Sequence, residues 1–333
     1  MVCTIIMRES TAISITYRRF QEVDDYAVFA KIWNESFTNA HRSKVEWWAR
    51  DRELSTDPTA QRWVAEVEGV ILGVAGYENL EEEGYQPHYY WGYVTVHPVL
   101  RRLGVGGDLY ERLWADLRER ETESVWLWTR ADYEDGLSFL EKRGFRELYR
   151  TSFMRLYIDR VNTKMLAEYA DNLAQEGYEF KNFNELAGDP TRDEKFYQLY
   201  CTVKHSIPSP VERKLPDLEA FSEKIANSPR LFDGCFIALQ RGEFVGFGHL
   251  LERDNEEKEL YTDSLGVLES HRKRGVAFGL VLAGVRYAES IGSQFISEDN
   301  FIGNRNVRPL LEKIGFVAEP DWILYENRPK FNE

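Results

Sequence analysis

The sequence predicts an α+β chain in which one mixed domain is built twice. Three observations predict it. Segments patterned as strands and as helices alternate along the whole chain. A basic, glycine-bearing turn stands between a β-rich segment and a helix-like segment at two places, as Arg101-Arg102-Leu103-Gly104-Val105-Gly106-Gly107 and as Arg272-Lys273-Arg274-Gly275-Val276-Ala277. The second half then repeats the first at a nearly constant offset.

The elements follow in order. Ile13-Ser14-Ile15-Thr16-Tyr17-Arg18 alternates like a strand, and Tyr26, Phe29, Ile32 and Trp33 mark a helix over Asp25 to Ser36. A second helix is expected from Lys44 to Arg52. Trp63 to Val67 and Val70 to Ala75 form a hairpin about Glu68-Gly69. Glu78 to Pro87 is an acidic loop. Tyr89 to Val96 is aromatic and β-branched, and Pro98 closes it. The first turn comes next, then a helix from Asp108 to Arg118, a strand from Val125 to Thr129, and a short helix from Asp135 to Lys142. Gly144 suits that helix's C-terminal cap. Phe145 to Ile158 supplies the last strands of this half. Thr163 to Gln175 carries Met165, Leu166, Tyr169, Ala170 and Leu173 on one face and reads as a connecting helix.

Beyond it, Tyr178 to Phe183 stands for Ile15 to Phe20, and Asp193 to Lys204 for the first helix. Ala238 to Gly246 repeats Ala65 to Gly73. Downstream, Arg272 falls on Arg101, Gly275 on Gly104 and Ala277 on Gly106. The run Glu312-Lys313-Ile314-Gly315-Phe316 falls on Glu141-Lys142-Arg143-Gly144-Phe145. Leu260 to Val267 is the strand before the second turn, and Phe278 to Glu289 the helix after it. The period is too long for a solenoid. The expected boundaries are therefore residues 1–160, a linker at 161–177, and residues 178–333.

Bulk properties narrow the function. A chain of 333 residues suits two domains. Its net charge of −14 argues against nucleic-acid binding. No apolar run reaches the roughly 20 residues that span a bilayer, so no membrane partner is expected. Met1 to Met7 lacks the basic flank of a signal peptide. Cys3, Cys201 and Cys235 are too scattered for a disulfide framework, so a reducing, cytoplasmic setting is expected. No His, Cys, Asp or Glu cluster has metal-ligand spacing, so no metal is expected. Monomer and homodimer stay equally open.

The turn itself points to an anion. A helix N-terminus offers unpaired N–H groups and the positive end of the macrodipole. Small residues let the backbone approach a phosphate, and arginine adds charge. The alternative is an ordinary strand-to-helix connection with solvated arginines, which two copies in register make less attractive.

With their flanks, these residues resemble the GNAT superfamily of acyl-CoA-dependent N-acetyltransferases. The carriers are an Arg-x-x-Gly-x-Gly/Ala turn after a central strand in both halves, and Gly-Phe about 40 residues on (Gly144-Phe145; Gly315-Phe316). The resemblance covers nearly the whole chain. It implies two domains, each a splayed mixed sheet flanked by helices, and acetyl-CoA as co-substrate. It also implies that Arg272, Lys273, Arg274, Gly275, Val276 and Ala277 hold the pyrophosphate, while Leu265, Gly266 and Val267 hold the pantetheine arm. Asn300 and Asn304, after a strand ending near Ser297, would bind the arm too. The first-half equivalents are Val94, Thr95 and Val96, then Arg101, Arg102, Leu103, Gly104, Val105, Gly106 and Gly107, with Thr129 and Tyr133 in place of the asparagines. Many members place a tyrosine acid four residues before the Gly of Gly-Phe. Leu140 and Leu311 stand there instead.

Transfer to an amine needs a base. In the second central strand Glu259, Tyr261 and Asp263 alternate onto one face. Either acid is a candidate base, directly or through water, and Tyr261 is a candidate acid. The first half has no acid from Tyr89 to Val96, so the second half is expected to be the catalytic one. His205, in a loop with Pro208, Pro210 and Pro216, and Trp47, Trp48 and Trp63 are candidates to line acceptor pockets, although core packing suits at least two of the tryptophans. The expected activity is N-acetylation of a primary amine on a small molecule or peptide. A non-catalytic acyl-CoA-binding protein and a different acyl transfer are the alternatives.

Overall fold

A computed structural model describes residues 14–37, 42–53, 61–81, 85–209, 211–212, 214–227, 229–253, 259–305 and 307–329. Cys3, the Met1 to Met7 run, Ile13, Pro210 and part of the acidic loop after Glu78 lie outside them. The chain forms two compact units. Unit 1 holds residues 1–129, 135–148 and 324–333; unit 2 holds residues 130–134 and 149–323.

Unit 1 contains β1 (Thr16–Arg19), α1 (Glu22–Ser36), α2 (Lys44–Glu53), β2 (Gln61–Val67), β3 (Val70–Asn79), β4 (Tyr89–Val96), α3 (Val105–Arg118) and β5 (Ser124–Arg130). It continues into α4 (Glu134–Glu141) and the start of β6 (Arg146–Tyr157). Strands β1 to β4 pair antiparallel in sequence order. β4 and β5 are parallel. Buried Val105, Leu109, Leu113 and Leu117 recur every four residues and seat α3 on the sheet. Phe29, Trp33, Trp47 and Tyr93 fill the space under α1.

Unit 2 is built from the rest of β6 and from α5 (Thr163–Gln175), β7 (Tyr178–Asn182), α6 (Arg192–Ser206), α7 (Leu218–Asn227), β8 (Cys235–Gln240) and β9 (Glu243–Glu252). It is completed by β10 (Leu260–Val267), α8 (Val276–Ile291), β11 (Phe295–Phe301), α9 (Val307–Ile314) and the short β12 (Val317–Ala318). The order of the sheet is β6-β11-β10-β9-β8-β7. Phe278, Leu282 and Val285 of α8 pack with Leu166 of α5 and Ile296 of β11.

The units do not follow the sequential boundaries expected above. β6, from the first half, pairs through its last seven residues with β11 of unit 2, from Thr151–Phe301 to Tyr157–Phe295. The last strand, β13 (Trp322–Asn327), belongs largely to unit 1 and pairs with β5. Within unit 1 the Ser124 hydroxyl donates to Glu326, and the Asn327 amide to the Arg143 carbonyl. Each repeat thus gives its last strand to the unit built from the other. The "linker" helix α5 is also no free connector. Asn162 caps it by accepting from the Met165 N–H at 3.0 Å, and Leu166 and Leu173 are buried in unit 2. Smaller differences follow the same logic. α3 and α8 begin at Val105 and Val276, before Asp108 and Phe278, because the turn's glycine already starts the helix. The strands expected over 145–158 form one long strand, Arg146–Tyr157.

Leu324 tests the exchange. It is 1% exposed in unit 1, so Leu324→Ala should cost about 3 kcal/mol. Amide exchange should accelerate first in Ser124–Arg130, about 200 residues earlier in the sequence. Acceleration confined to β10 and β11 would contradict it.

Candidate active site

The two turns have one backbone shape. Arg102 and Lys273 are left-handed at φ 68° and 60°, and Gly104 and Gly275 at 88° and 97°. A side chain at such an angle is strained, so the same strain kept at both second positions marks a conformation the fold imposes. Both glycines cap the helix that follows. Arg101 and Arg272 tie the turn back to its strand, donating from Nε to the carbonyls of Val96 at 3.3 Å and Val267 at 2.9 Å. Arg272 also donates to Ser206 Oγ at 2.8 Å. Exposed Arg102, Leu103, Lys273 and Arg274 crown the turns. Helix N-termini with these cations fit a pyrophosphate.

The surroundings differ. A Cβ at Gly104 would meet nothing within 4 Å, whereas one at Gly275 would come within 2.9 Å of the Tyr169 ring. Tyr169 stacks on Phe278 at 4.3 Å and accepts a bond from Lys313 at 2.9 Å. Phe278 replaces Gly107, beside which Arg143 stands in unit 1. The first turn is open, and the second is walled by α5.

The central strands also differ. β10 pairs with β11 only at Leu260–Ile296 and Tyr261–Ser297 and then parts from it, which is the splay. β4 likewise pairs with β5 only from Tyr89 to Trp91. The register of β10 on β9, however, slips between Thr262 and Ser264, a bulge centred on Asp263. β4 runs on β3 in regular register from Tyr90 to Val96.

The bulge breaks the expected alternation of Glu259, Tyr261 and Asp263. Glu259, 3% exposed just before β10, accepts from the Ser297 hydroxyl. Tyr261 donates to Asp299, and burial with that carboxylate raises its pKa well above the usual phenol, so it is a poor acid. Asp263 alone projects at the bulge, 3.5 Å from His249 Nδ1 of β9. Burial pushes the Asp263 carboxyl up. Contact with His249, the charge of Lys204 and the Ser264 hydroxyl outweigh it and hold the pKa well below the carboxylate range. So strongly depressed a carboxylate is a weak base and suits the role of charge partner. His249 stacks flat on Phe232 at 5.3 Å, and its side chain is 11% exposed against 40% for Asp263.

Three residues in this region were not singled out from sequence. His249 occupies the place that Gly76 holds in the first repeat, and that exchange was the available signal. Glu298 and Asp299 stand where the first repeat has Leu127 and Trp128. Glu298 is 5% exposed, and burial pushes its pKa up to about 7. The charge of Asp299 adds to that shift, and bonds with Asn300 and Thr262 oppose it.

The remaining expected residues are placed as follows. β11 runs past Ser297 to Phe301, so Asn300 lies within the strand and donates to Glu298 at 2.7 Å. Asn304 lies in the turn beyond it, its N–H on the Phe301 carbonyl. Leu265 and Gly266 are half-buried and Val267 is buried at the end of β10, where Val203 packs against Gly266. Ala277 is half-buried in the first turn of α8, and Val276 is buried. In unit 1, Thr95 donates to Ser36 at 3.1 Å, while Val94 and Val96 pack near Gly106. The α1 side of β4 is closed by the aromatic cluster and by Arg62, which bonds both Tyr93 and buried Glu78. Trp47 and Trp63 are core, and Trp48 is exposed. His205 bonds the Cys201 carbonyl one helical turn back. Leu140 and Leu311 are buried.

Glu298 gives a pH test. Its folded pKa exceeds the ordinary 4.5, so the folded state holds a proton that the unfolded state has released. That contribution is full below about 4.5 and is lost as pH rises through about 7. Glu298→Gln should remove the loss. Its stability relative to wild type should rise by roughly 3 kcal/mol across this window in denaturant titrations. A flat difference would mean that Glu298 titrates as an ordinary carboxylate.

Residues 26–145 and 195–316 each match the sequence model described as the Acetyltransferase (GNAT) family. No curated protein matches the chain in sequence. Among solved structures, a GCN5-related N-acetyltransferase from Sphaerobacter thermophilus aligns over 95% of this chain and 96% of its own, at TM-score 0.67 and 16% identity. A tandem GNAT protein from the clavulanic acid biosynthesis pathway aligns over 95% and 98%, at TM-score 0.66 and 14% identity. These likenesses speak to the fold, and the two family matches to descent: the chain belongs to the Acetyltransferase (GNAT) family, in a tandem form with two such domains.

Proposed function

We propose that the protein moves an acetyl group from acetyl-CoA to a primary amine of a small molecule or peptide, with the chemistry in unit 2. One observation carries the choice of unit. The Asp263 bulge lies where β10 parts from β11 and brings His249 beside a carboxylate. The matching strand of unit 1 is unbroken and backed by closed aromatic packing.

Acetyl-CoA supplies an activated acyl carbon. Arg272 to Ala277 and the N-terminus of α8 would hold its pyrophosphate, and the unpaired edge of β10 from Thr262 to Val267 would hold its arm. Asp263, the exposed member of the pair, attracts an ammonium and orients His249 Nδ1. His249 takes the amine proton, and the neighbouring carboxylate stabilises the imidazolium that forms. In this reading His249 takes the role that the sequence offered to Asp263 or Glu259, directly or through water. The turn of unit 1, open at Gly104 and flanked by Arg143, would serve as a second acyl-CoA cradle.

Thiol release with acetyl-CoA and a panel of amines tests the activity. Turnover should appear with at least one amine, and Asp263→Asn should lower kcat/KM about 100-fold. Binding of CoA without turnover for any amine would favour the non-catalytic alternative. Calorimetry separates the halves. Lys273 and Arg102 are exposed equivalents, so charge reversal leaves the core intact. Lys273→Glu should weaken acetyl-CoA binding about tenfold at the catalytic site. If only Arg102→Glu abolishes turnover, the assignment to unit 2 is wrong.

A further inference from the structure

Past the last paired residues of β10 and β11, the next residue on each strand is Thr262 and Glu298. They stand at the base of the opening and line the same cleft. Asn300 Nδ2 donates to Glu298 Oε1 at 2.7 Å. Among the described residues no cation forms an ion pair with Glu298. Thr262, Leu265, Leu280, Ile296, Glu298 and Phe316 line one cleft under α8. Leu280 lies one turn into α8 from Val276, so the cleft starts close behind the Arg272–Ala277 turn. An arm anchored at that turn and running along α8 would approach this cleft. Leu311, at the position of the usual tyrosine acid, is fully buried in the same core as Ile296 and Phe316.

We propose that Glu298 is the general acid of unit 2 and gives its proton to the sulphur of the departing thiol. The proposal rests on the acyl-transfer reading above. As the amine nitrogen bonds to the acyl carbon, the carbon–sulphur bond breaks and its electron pair goes to sulphur. The Glu298 O–H bond breaks and the proton goes to that sulphur, leaving a thiol and the Glu298 carboxylate. His249 takes the proton lost by the amine and releases it to solvent, and solvent returns one to Glu298.

The surroundings keep Glu298 protonated until it is needed. α8 and β9 present only apolar side chains and glycines to the cleft. Asp299, the one charged neighbour on the strand, accepts from Tyr261 and opposes ionisation of Glu298. Glu298 is pushed up while Asp263, just across the bulge, is held down. Two carboxyls driven apart by their environments are suited to opposite roles.

The test uses the full chain with acetyl-CoA and the best amine of the panel. Glu298→Gln keeps the side-chain shape but has no acidic proton. Its kcat should fall about 100-fold, with calorimetric CoA affinity unchanged within about twofold. The alkaline decline of wild-type kcat near pH 7 should vanish, and Glu298→Asp should keep that decline at an intermediate kcat. A protonated-carboxyl infrared band should be present in the ligand-free wild type below neutral pH and absent from the Gln variant. An unchanged kcat and pH profile in Glu298→Gln, or no such band, overturns the proposal alone. No turnover by wild type with any amine sinks the acyl-transfer reading and this one together.

Discussion

Two parallel strands that stop pairing govern the rest of unit 2. After Tyr261 and Ser297, β10 and β11 no longer share hydrogen bonds. Each then presents an edge whose N–H and C=O groups need other partners. On its far side, β11 is held by β6 through all seven residues from Phe295 to Phe301. On the β10 side, β9 holds one edge and the other is left open. The open edge is where a ligand backbone can substitute for a strand. Five polar groups are arranged around it: Tyr261 and Asp299 bridge the two strands, Glu298 and Thr262 sit at its base, and Asp263 marks the slip.

The repeat was readable in the sequence because turn geometry restricts residue choice. Left-handed angles at Gly104 and Gly275, and at Gly144 and Gly315, explain why glycine recurs at a fixed offset. The hairpin, the central strands and their helices were readable for the same reason, since local periodicity and breakers specify them. Strand exchange was not. Nothing in the alternation of Arg146 to Tyr157 says which neighbour it pairs with, and an identical pattern serves either sheet. The role of α5 was misjudged likewise, because an amphipathic helix declares a buried face without declaring against what.

The candidate site was half readable. The phosphate turn announces itself by composition. The Asp263 bulge does not, since one extra residue changes the phase of a strand without leaving a breaker in the sequence. Glu259, Tyr261 and Asp263 share a face only if the strand stays regular. Once the register slips, two of them are tied to β11 and the third turns to His249, which lies on a different strand and is invisible to spacing arguments.

The two units therefore carry the same cradle over different interiors. Unit 1 closes the α1 side of its central strand with rings packed as closely as the tilted pair Phe29 and Trp47, centroids 4.4 Å apart, and neutralises buried Glu78 with Arg62. Removing one partner of such a buried pair would be costly, so this interior resists becoming a reaction site. Unit 2 leaves Glu298 buried without an ion pair among the described residues, with Asp299 half-buried beside it, and burial raises both pKa values, in Asp299 against the charge of Arg253, which costs stability at neutral pH. A fold tolerates that cost most readily where the strained group has work to do. The same contrast explains the walls. Tyr169, Phe278 and Lys313 brace the second turn beside the polar interior. The first turn, set over a rigid aromatic core, stays open with only Arg143 beside Gly107.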